Sequence, residues 1–229
     1  MLNERQNKIL EWLEKNERVR VRELAKELYV SEMTVRRDLE AMEKGNLLKR
    51  CYGGAVRIEN YQEYPIKVRM LINSKEKKDL ARQSRKYLAD GQVIFFNSSS
   101  TCAYMIPYLK DYKNIKVITN SVHLLVLLGN QHIPCAITGG DYFEAERCLV
   151  GRSAESFLRE INADIAFVSG EGVSDDGYVT DGNPDLAEIS KIAIKRAKIK
   201  ILLMDKSKIG NKYAYNICHI DDADEIITV

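Results

Sequence analysis

The sequence predicts an α/β protein in two parts: a small three-helix unit closed by a β-hairpin, then a doubly wound α/β domain. Three observations predict this. Helical apolar periodicity over the first 45 residues gives way to two short alternating runs around Gly53-Gly54; beyond about residue 76 short apolar runs alternate with helical patterns; and 229 residues exceed one average domain. With 45% hydrophobic and 30% charged residues the chain has apolar side chains enough for a buried core, which argues against disorder.

The expected boundaries are residues 1–57 for the first unit, 58–75 for a linker and 76–229 for the second domain. No stretch approaches the roughly 20 consecutive apolar residues that span a bilayer, and Met-Leu-Asn-Glu-Arg lacks an apolar signal core, so a cytoplasmic protein is expected. The five cysteines, Cys51, Cys102, Cys135, Cys148 and Cys218, are odd in number and form no Cys-x-x-Cys pair. They read as reduced. His123, His132 and His219 lack ligand spacing, so neither a metal nor another cofactor is expected. Up to Arg57 there are 13 Lys/Arg against 10 Asp/Glu, and beyond it 22 against 23. That excess at the front permits nucleic-acid binding without demonstrating it.

Ile9, Leu10, Trp12 and Leu13 share one helical face, and Asn3 with Gln6 offers a capping box, which predicts a helix from about Asn3 to Lys15. Leu24, Ala25 and Leu28 predict a second, poorly capped helix, with Tyr29 and Val30 as a tight connection. Ser31 supplies the N-cap of a third, in which Val35, Leu39 and Met42 recur at helical spacing and Gly45 closes the end. That stripe turns Met33, Thr34 and Arg37 outward, with Arg36 on the flank. Arginine can bridge two acceptors on a guanine edge or clamp a phosphate, and Ser31 stands at a helix N-terminus where amides bind phosphate oxygens. The hairpin that follows, Leu47 to Arg57, can act as a wing: Lys49, Arg50 and Arg57 beside phosphates, Gly53 and Gly54 in the turn, Tyr52 either reaching toward a groove or packing.

Charged helix faces usually mean only solvent exposure, and a helical protein-interaction unit is the plainer alternative. The combination argues otherwise. Leu24-Ala25, Val30-Ser31, Thr34, Arg36-Arg37-Asp38-Leu39, Gly45 and Gly53-Gly54-Ala55 together closely resemble the winged helix-turn-helix of the DeoR family of bacterial repressors, across nearly all of residues 5–57. Asp38 is expected to orient Arg36 or Arg37, or to cap nearby amides.

Residues 58 to about 74 are polar, with Pro65 in the middle, and read as a connector. Helices are expected at Glu76–Leu88, Thr101–Leu109, Ser121–Leu128, Ala154–Arg159 and Pro184–Lys198. Buried parallel strands are expected at Val93–Phe96, Val117–Ile118, Ala136–Ile137, Ile165–Val168, Ile201–Met204 and Ile226–Ile227. Such sheets bind ligands at the carboxyl ends of their strands. After the first strand stands Asn97-Ser98-Ser99-Ser100-Thr101, either an anion cradle or a serine-rich helix cap. Other strand ends carry Thr119-Asn120-Ser121, Thr138-Gly139-Gly140-Asp141, Ser169-Gly170-Glu171-Gly172 and Asp205-Lys206-Ser207-Lys208.

In this order the turns resemble the sugar-phosphate sensing domain of DeoR-family proteins, similar in fold to ribose-5-phosphate isomerase and coenzyme A transferases. The resemblance implies an effector phosphate held by Ser98, Ser100 and Thr101 with positive charge from Lys208, and sugar hydroxyls read by Asn120, Glu171, Thr180 and Asp205 beside Asn97, Ser99, Gly140 and Gly172. Plainer roles stay open: Asn120 closing a turn, Thr180 on a strand, Lys208 solvated. The chain departs from the family pattern at Asn97, where an acidic residue is usual, at Ser99 and Ser169, where glycine is common, and at Tyr52, often histidine. The resemblance thus implies a regulator that binds double-stranded operator DNA as a homodimer or homotetramer, with no membrane partner, probing a phosphorylated sugar. A sensor domain reduced to a scaffold, or an isomerase-like enzyme using Asp181, Asp185 or Glu188, are the competing readings.

Overall fold

The computed structural model describes residues 3–16, 18–45, 47–58 and 66–229. The chain divides into two compact units, Met1–Ile72 and Asn73–Val229. Among the described residues no helix is long and apolar enough to cross a membrane.

In the first unit, helix α1 (Glu4–Asn16) starts at the expected capping box: Asn3 Oδ1 accepts the Gln6 amide at 2.9 Å and Gln6 Oε1 accepts the Asn3 amide at 3.1 Å. Strand β1 (Arg18–Arg20) follows and leads directly into α2 (Val21–Glu27), which has no side-chain cap. Its Val21 amide donates instead to the Gly53 carbonyl at 2.9 Å. Helix α3 (Glu32–Lys44) begins at Ser31, whose Oγ accepts the Thr34 amide at 3.1 Å. Gly45 ends it with φ −91°, so it stops the helix without the left-handed turn that glycine often supplies there. Strands β2 (Lys49–Cys51) and β3 (Gly54–Val56) form the hairpin, and β1 pairs antiparallel with β3 to complete a three-stranded sheet.

Ile9, Leu13, Leu24, Val35, Leu39 and Met42 are buried together beneath this sheet's Val19 and Ala55. Strand β1 escaped the sequence reading because three residues with one inward side chain carry no period. Residues 66–72 depart from the expected connector: α4 (Ile66–Arg69) buries Ile66 and Val68, the latter in the core of the first unit, where Leu71 and Ile72 also pack. Pro65 lies outside the described residues.

The second unit opens with α5 (Ser74–Ser84) and is built on six parallel strands: β4 (Val93–Phe96), β5 (Lys116–Thr119), β6 (Cys135–Ile137), β9 (Ala163–Val168), β12 (Ala197–Met204) and β14 (Glu225–Thr228). Between them come α6 (Val122–Asn130), α7 (Arg152–Arg159) and α8 (Pro184–Arg196). The strand order is β14-β12-β9-β4-β5-β6, every neighbour parallel. The chain starts at β4, runs outward to β6, then returns beside β4 at β9 and runs out the other way. Order reverses between β4 and β9, and a doubly wound sheet opens its ligand crevice outside the carboxyl ends of the strands at that reversal.

All six expected strands are present, Val93–Phe96 with the expected ends and the others longer, and the helices between them form with one exception. The stretch expected as a helix at Thr101–Leu109 is a 3₁₀ segment over Cys102–Asp111, and Ala197 and Lys198, expected to end α8, begin β12. Two features carried no sequence signal: the hairpin of β7 (Asp141–Phe143) and β8 (Cys148–Val150), and an antiparallel sheet of β10 (Gly172–Val173), β11 (Tyr178–Asp181) and β13 (Tyr215–His219). Their strands are two to five residues long, too short for hydrophobic periodicity to register.

Candidate functional site

The outward face of α3 carries Met33, Arg36 and Arg37, all exposed, with Thr34 half-buried beside Ser31, whose Oγ lies 2.9 Å from Thr34 Oγ1. Arg36 pairs with Glu32 at 3.6 Å, an exposed contact of the kind that holds little energy. Arg37 has no ion-pair or hydrogen-bond partner among the described residues. The helix thus presents one uncommitted guanidinium, one loosely paired one, and a capped N-terminus whose amides point outward.

Asp38 does not orient either neighbour. It is buried and turned inward, where its carboxylate takes a two-pronged hydrogen bond from the Arg5 guanidinium and a third, at 3.4 Å, from Gln6 Nε2. The pair keeps Arg5 firmly charged and fastens α1 to the inner side of α3, fixing how the outer side is presented.

In the hairpin, Cys51 faces Gly54, leaving Tyr52 and Gly53 as the turn. Gly53 takes φ +75°; Gly54 instead lies where a β-carbon would run into the Val19 carbonyl, so it is the close approach of β1 and not conformational freedom that requires glycine there. Tyr52 is 100% exposed, which excludes a packing role within the unit. Arg18, a residue that sequence reasoning missed, donates to the Tyr52 carbonyl at 3.3 Å and braces the tip. Lys49 and Arg57 are exposed; Arg50 is tied back, its amide to Glu43 Oε1 at 2.9 Å and its guanidinium 3.8 Å from Glu43 Oε2.

In the second unit Asn97 and Ser169 stand at the ends of β4 and β9, the two strands that flank the reversal. Asn97 Nδ2 donates to the Ser169 carbonyl at 2.8 Å and to Ser190 Oγ at 3.1 Å, and its Oδ1 accepts the Ser169 amide at 3.4 Å. Lys208, expected as either a cation or a solvated side chain, is buried; its Nζ donates to Ser169 Oγ at 2.8 Å and the Gly170 carbonyl at 2.7 Å. Asn97, Ser169, Ser190 and Lys208 therefore form one buried network. Ser190, on the apolar face of α8, was the missed member; a hydroxyl among Ala187, Ile189 and Ala193 is the signal that could have found it.

Ser99 Oγ accepts the Cys102 amide at 3.1 Å and so caps the 3₁₀ segment, while Ser98, Ser100 and Thr101 are buried around it. Ser99 thus takes the helix-capping role, the plainer of the two expectations for this cluster. Among the described residues Thr101 Oγ1 is buried with no hydrogen-bond partner, and so is Asn120 Oδ1 just after β5, whose Nδ2 donates to the Leu149 carbonyl at 3.2 Å. Buried polar atoms without partners are costly and call for an explanation, a water, an ion or a ligand among them. Cys102, packed against the same turn, is pushed up to about 12 by burial, which the Ser99 hydrogen bond and the nearby Lys208 charge offset only in part; its thiol stays neutral and is no nucleophile.

The remaining candidates are committed to the fold. Thr180 Oγ1 donates to the Gly172 carbonyl at 3.3 Å and accepts the Tyr213 amide at 3.0 Å, tying the antiparallel sheet together. Asp205 caps the turn after β12 through the Ser207 amide and hydroxyl and takes Asn73 Nδ2 at 3.3 Å. Glu171 Oε2 accepts the Gly182 amide at 2.7 Å. Gly140, at φ +111°, and Gly172 are required sterically, since a β-carbon would strike the Val150 and Asn211 carbonyls respectively. Asp181 accepts the Asn183 amide at 2.9 Å, Glu188 faces Arg159 and Lys191 at 3.4 and 3.6 Å, and Asp185 is exposed.

Comparison with known proteins gives a consistent result for both units. The chain matches the DeoR-like helix-turn-helix domain over residues 5–61 and the DeoR C terminal sensor domain over residues 72–229. It is 35% identical over 230 residues to the uncharacterized HTH-type transcriptional regulator YulB of Bacillus subtilis (strain 168), covering 100% of this chain and 89% of that protein. To the lactose phosphotransferase system repressor of Lactococcus lactis subsp. lactis it is 32% identical over 229 residues, covering 98% and 89%. Among solved structures, eIF2B delta from Chaetomium thermophilum shares the fold at a TM-score of 0.52 and 17% identity, over 70% of this chain and 58% of that one.

Proposed function

The chain belongs to the DeoR family of transcriptional regulators, and from that premise we propose that it represses genes of carbohydrate metabolism by binding operator DNA through α3 and the wing. Binding is relieved when a phosphorylated sugar occupies the β4–β9 crevice. The observation that carries the DNA half is the unpaired Arg37 on the outer face of a helix whose inner face is locked by Arg5 and Asp38. Arg37 and Arg36 read base edges or clamp phosphates; Ser31 and Thr34 present the helix N-terminus to a phosphate; Met33 takes an apolar contact in the groove; Lys49, Arg50 and Arg57 follow the backbone; and Gly53 carries Tyr52 at the tip.

The effector half rests on Thr101 Oγ1 and Asn120 Oδ1, unpartnered among the described residues, and on buried Lys208, whose charge reaches Cys102 beside Thr101. A phosphate suits the hydroxyls and amides of residues 98–101, with Lys208 near enough to favour an anion, and Asn120 Oδ1 requires a donor such as a sugar hydroxyl. Repression of carbohydrate genes is supported by the likeness to the lactose phosphotransferase system repressor. Binding without turnover fits the capped or paired state of Asp181 and Glu188. In this reading a homodimer or homotetramer engages half-sites about 34 Å apart, with residues 1–57 as the DNA-binding part and 76–229 for effector and self-association, in the cytoplasm.

The test is anisotropy titration of DNA upstream of the chain's own gene at two salt concentrations, followed by addition of phosphorylated sugars. Specific binding that weakens with salt and is released by one of them supports the reading; absence of any preferred DNA overturns it.

A further inference from the structure

In the first unit three large apolar side chains stand exposed among the described residues: Met33 at 62%, Tyr52 at 100% and Tyr29 at 94%. The first two belong to the surface already assigned to DNA. Tyr29 lies in the turn between α2 and α3, two residues before the Ser31 cap, and no role has been given to it.

Its backbone makes the side chain hard to explain within the fold. Leu28 ends α2, the Tyr29 amide donates to the Lys26 carbonyl at 3.4 Å and the Val30 amide to the Ala25 carbonyl at 3.0 Å. That pair of bonds is a Schellman motif, and Tyr29 occupies its left-handed position with φ +54°. Glycine suits that position; a β-carbon is strained there, and a bulky aromatic gains nothing locally that asparagine would not. A buried ring could compensate through packing. This one is almost wholly in solvent, so the strain is offset by no contact in its own unit.

We propose that Tyr29 is a further operator-binding residue, its ring lying against deoxyribose and its hydroxyl donating to a backbone phosphate at the groove edge beside the N-terminus of α3. The inference rests on the DNA-binding reading above. A neutral hydroxyl suits this place, since a phosphate is a strong acceptor and the contact adds affinity without displacing a counterion.

The experiment compares wild type, Tyr29→Gly and Tyr29→Phe in the full chain, with operator affinity measured across a salt series and stability by thermal denaturation. Expected are a melting temperature for Tyr29→Gly no lower than that of wild type, an affinity about tenfold weaker for Tyr29→Gly, part of that loss in Tyr29→Phe, and a salt slope unchanged in both. Because Tyr29→Gly relieves strain, misfolding cannot imitate the loss. Operator affinity equal to wild type in Tyr29→Gly overturns the proposal, as does a changed salt slope, which would mean that the contact acts through ions. If wild type itself prefers no DNA, the DNA-binding reading has failed; if wild type binds and Tyr29→Gly binds equally, only the role of Tyr29 has.

Discussion

The two units hold their candidate residues in opposite ways. On α3 and the wing most candidate side chains are exposed, and Arg37 has no partner among the described residues, while the residues that fix them, Arg5, Asp38, Arg18 and Gly54, lie behind or beside them. At the β4–β9 reversal the candidates are buried, and most hold one another: Asn97, Ser169, Ser190 and Lys208 form a closed network, and the atoms left over are Thr101 Oγ1 and Asn120 Oδ1. A convex surface meets a rigid polyanion with groups that need only be presented. Buried polar atoms have to be satisfied by the fold, so under the proposed effector reading it is the leftover atoms, not the network, that a ligand would engage.

The contrast breaks most severely at Gly54. Tightly packed behind the wing, Gly54→Ala should cost the first unit about 3 kcal/mol as β1 and β3 are forced apart. Urea denaturation followed by the fluorescence of Trp12, the chain's one tryptophan and part of that unit's core, reads this directly; an unchanged midpoint would mean that the wing is not held as described. In the crevice, Asn97→Asp removes a donor facing the Ser169 carbonyl and should cost the second unit about 2 kcal/mol. The calorimetric transition of that unit is the measure, and a variant as stable as wild type would show that the network is incidental.

On the exposed side the sign of the contrast reverses: Arg37→Ala should leave both unfolding transitions where they are and weaken specific operator binding by about 2 kcal/mol in anisotropy titrations. Arg36→Ala should lose less, because Glu32 already occupies its guanidinium part of the time. A stability loss in Arg37→Ala would contradict its free state.

The smallest effect concerns pH. The Cys102 thiol, ordinarily near 9, is raised to about 12 by burial. A raised value means that the folded state keeps a proton the unfolded chain gives up, so stability is full below about pH 9 and falls as pH rises toward 12. Cys218, raised to about 12 by burial and by Asp222, adds to the same window. Cys102→Ala should make the decline between pH 9 and 12 shallower in thermal melts, and an identical decline would assign it to other groups.

Sequence alone determined whatever repeats or punctuates. The three N-terminal helices follow from apolar spacing and the Asn3 and Ser31 caps, and the six parallel strands from continuous apolar runs, because burial on both faces leaves no choice of residue type. The outward set on α3 follows from the same period that sets its core. Tertiary structure decided the partners. Asp38 reads as a neighbour of Arg36 and Arg37, yet on a helix adjacent residues point different ways, and its partner is Arg5, 33 positions earlier. Gly54, Thr180, Asp205 and Ser190 acquire their roles from backbone or side chains brought up from far along the chain, and β13 becomes a strand because it returns beside β11. Local chemistry encodes which face a residue turns to; what waits on the other side of that face is a product of chain return, and no spacing within one segment records it.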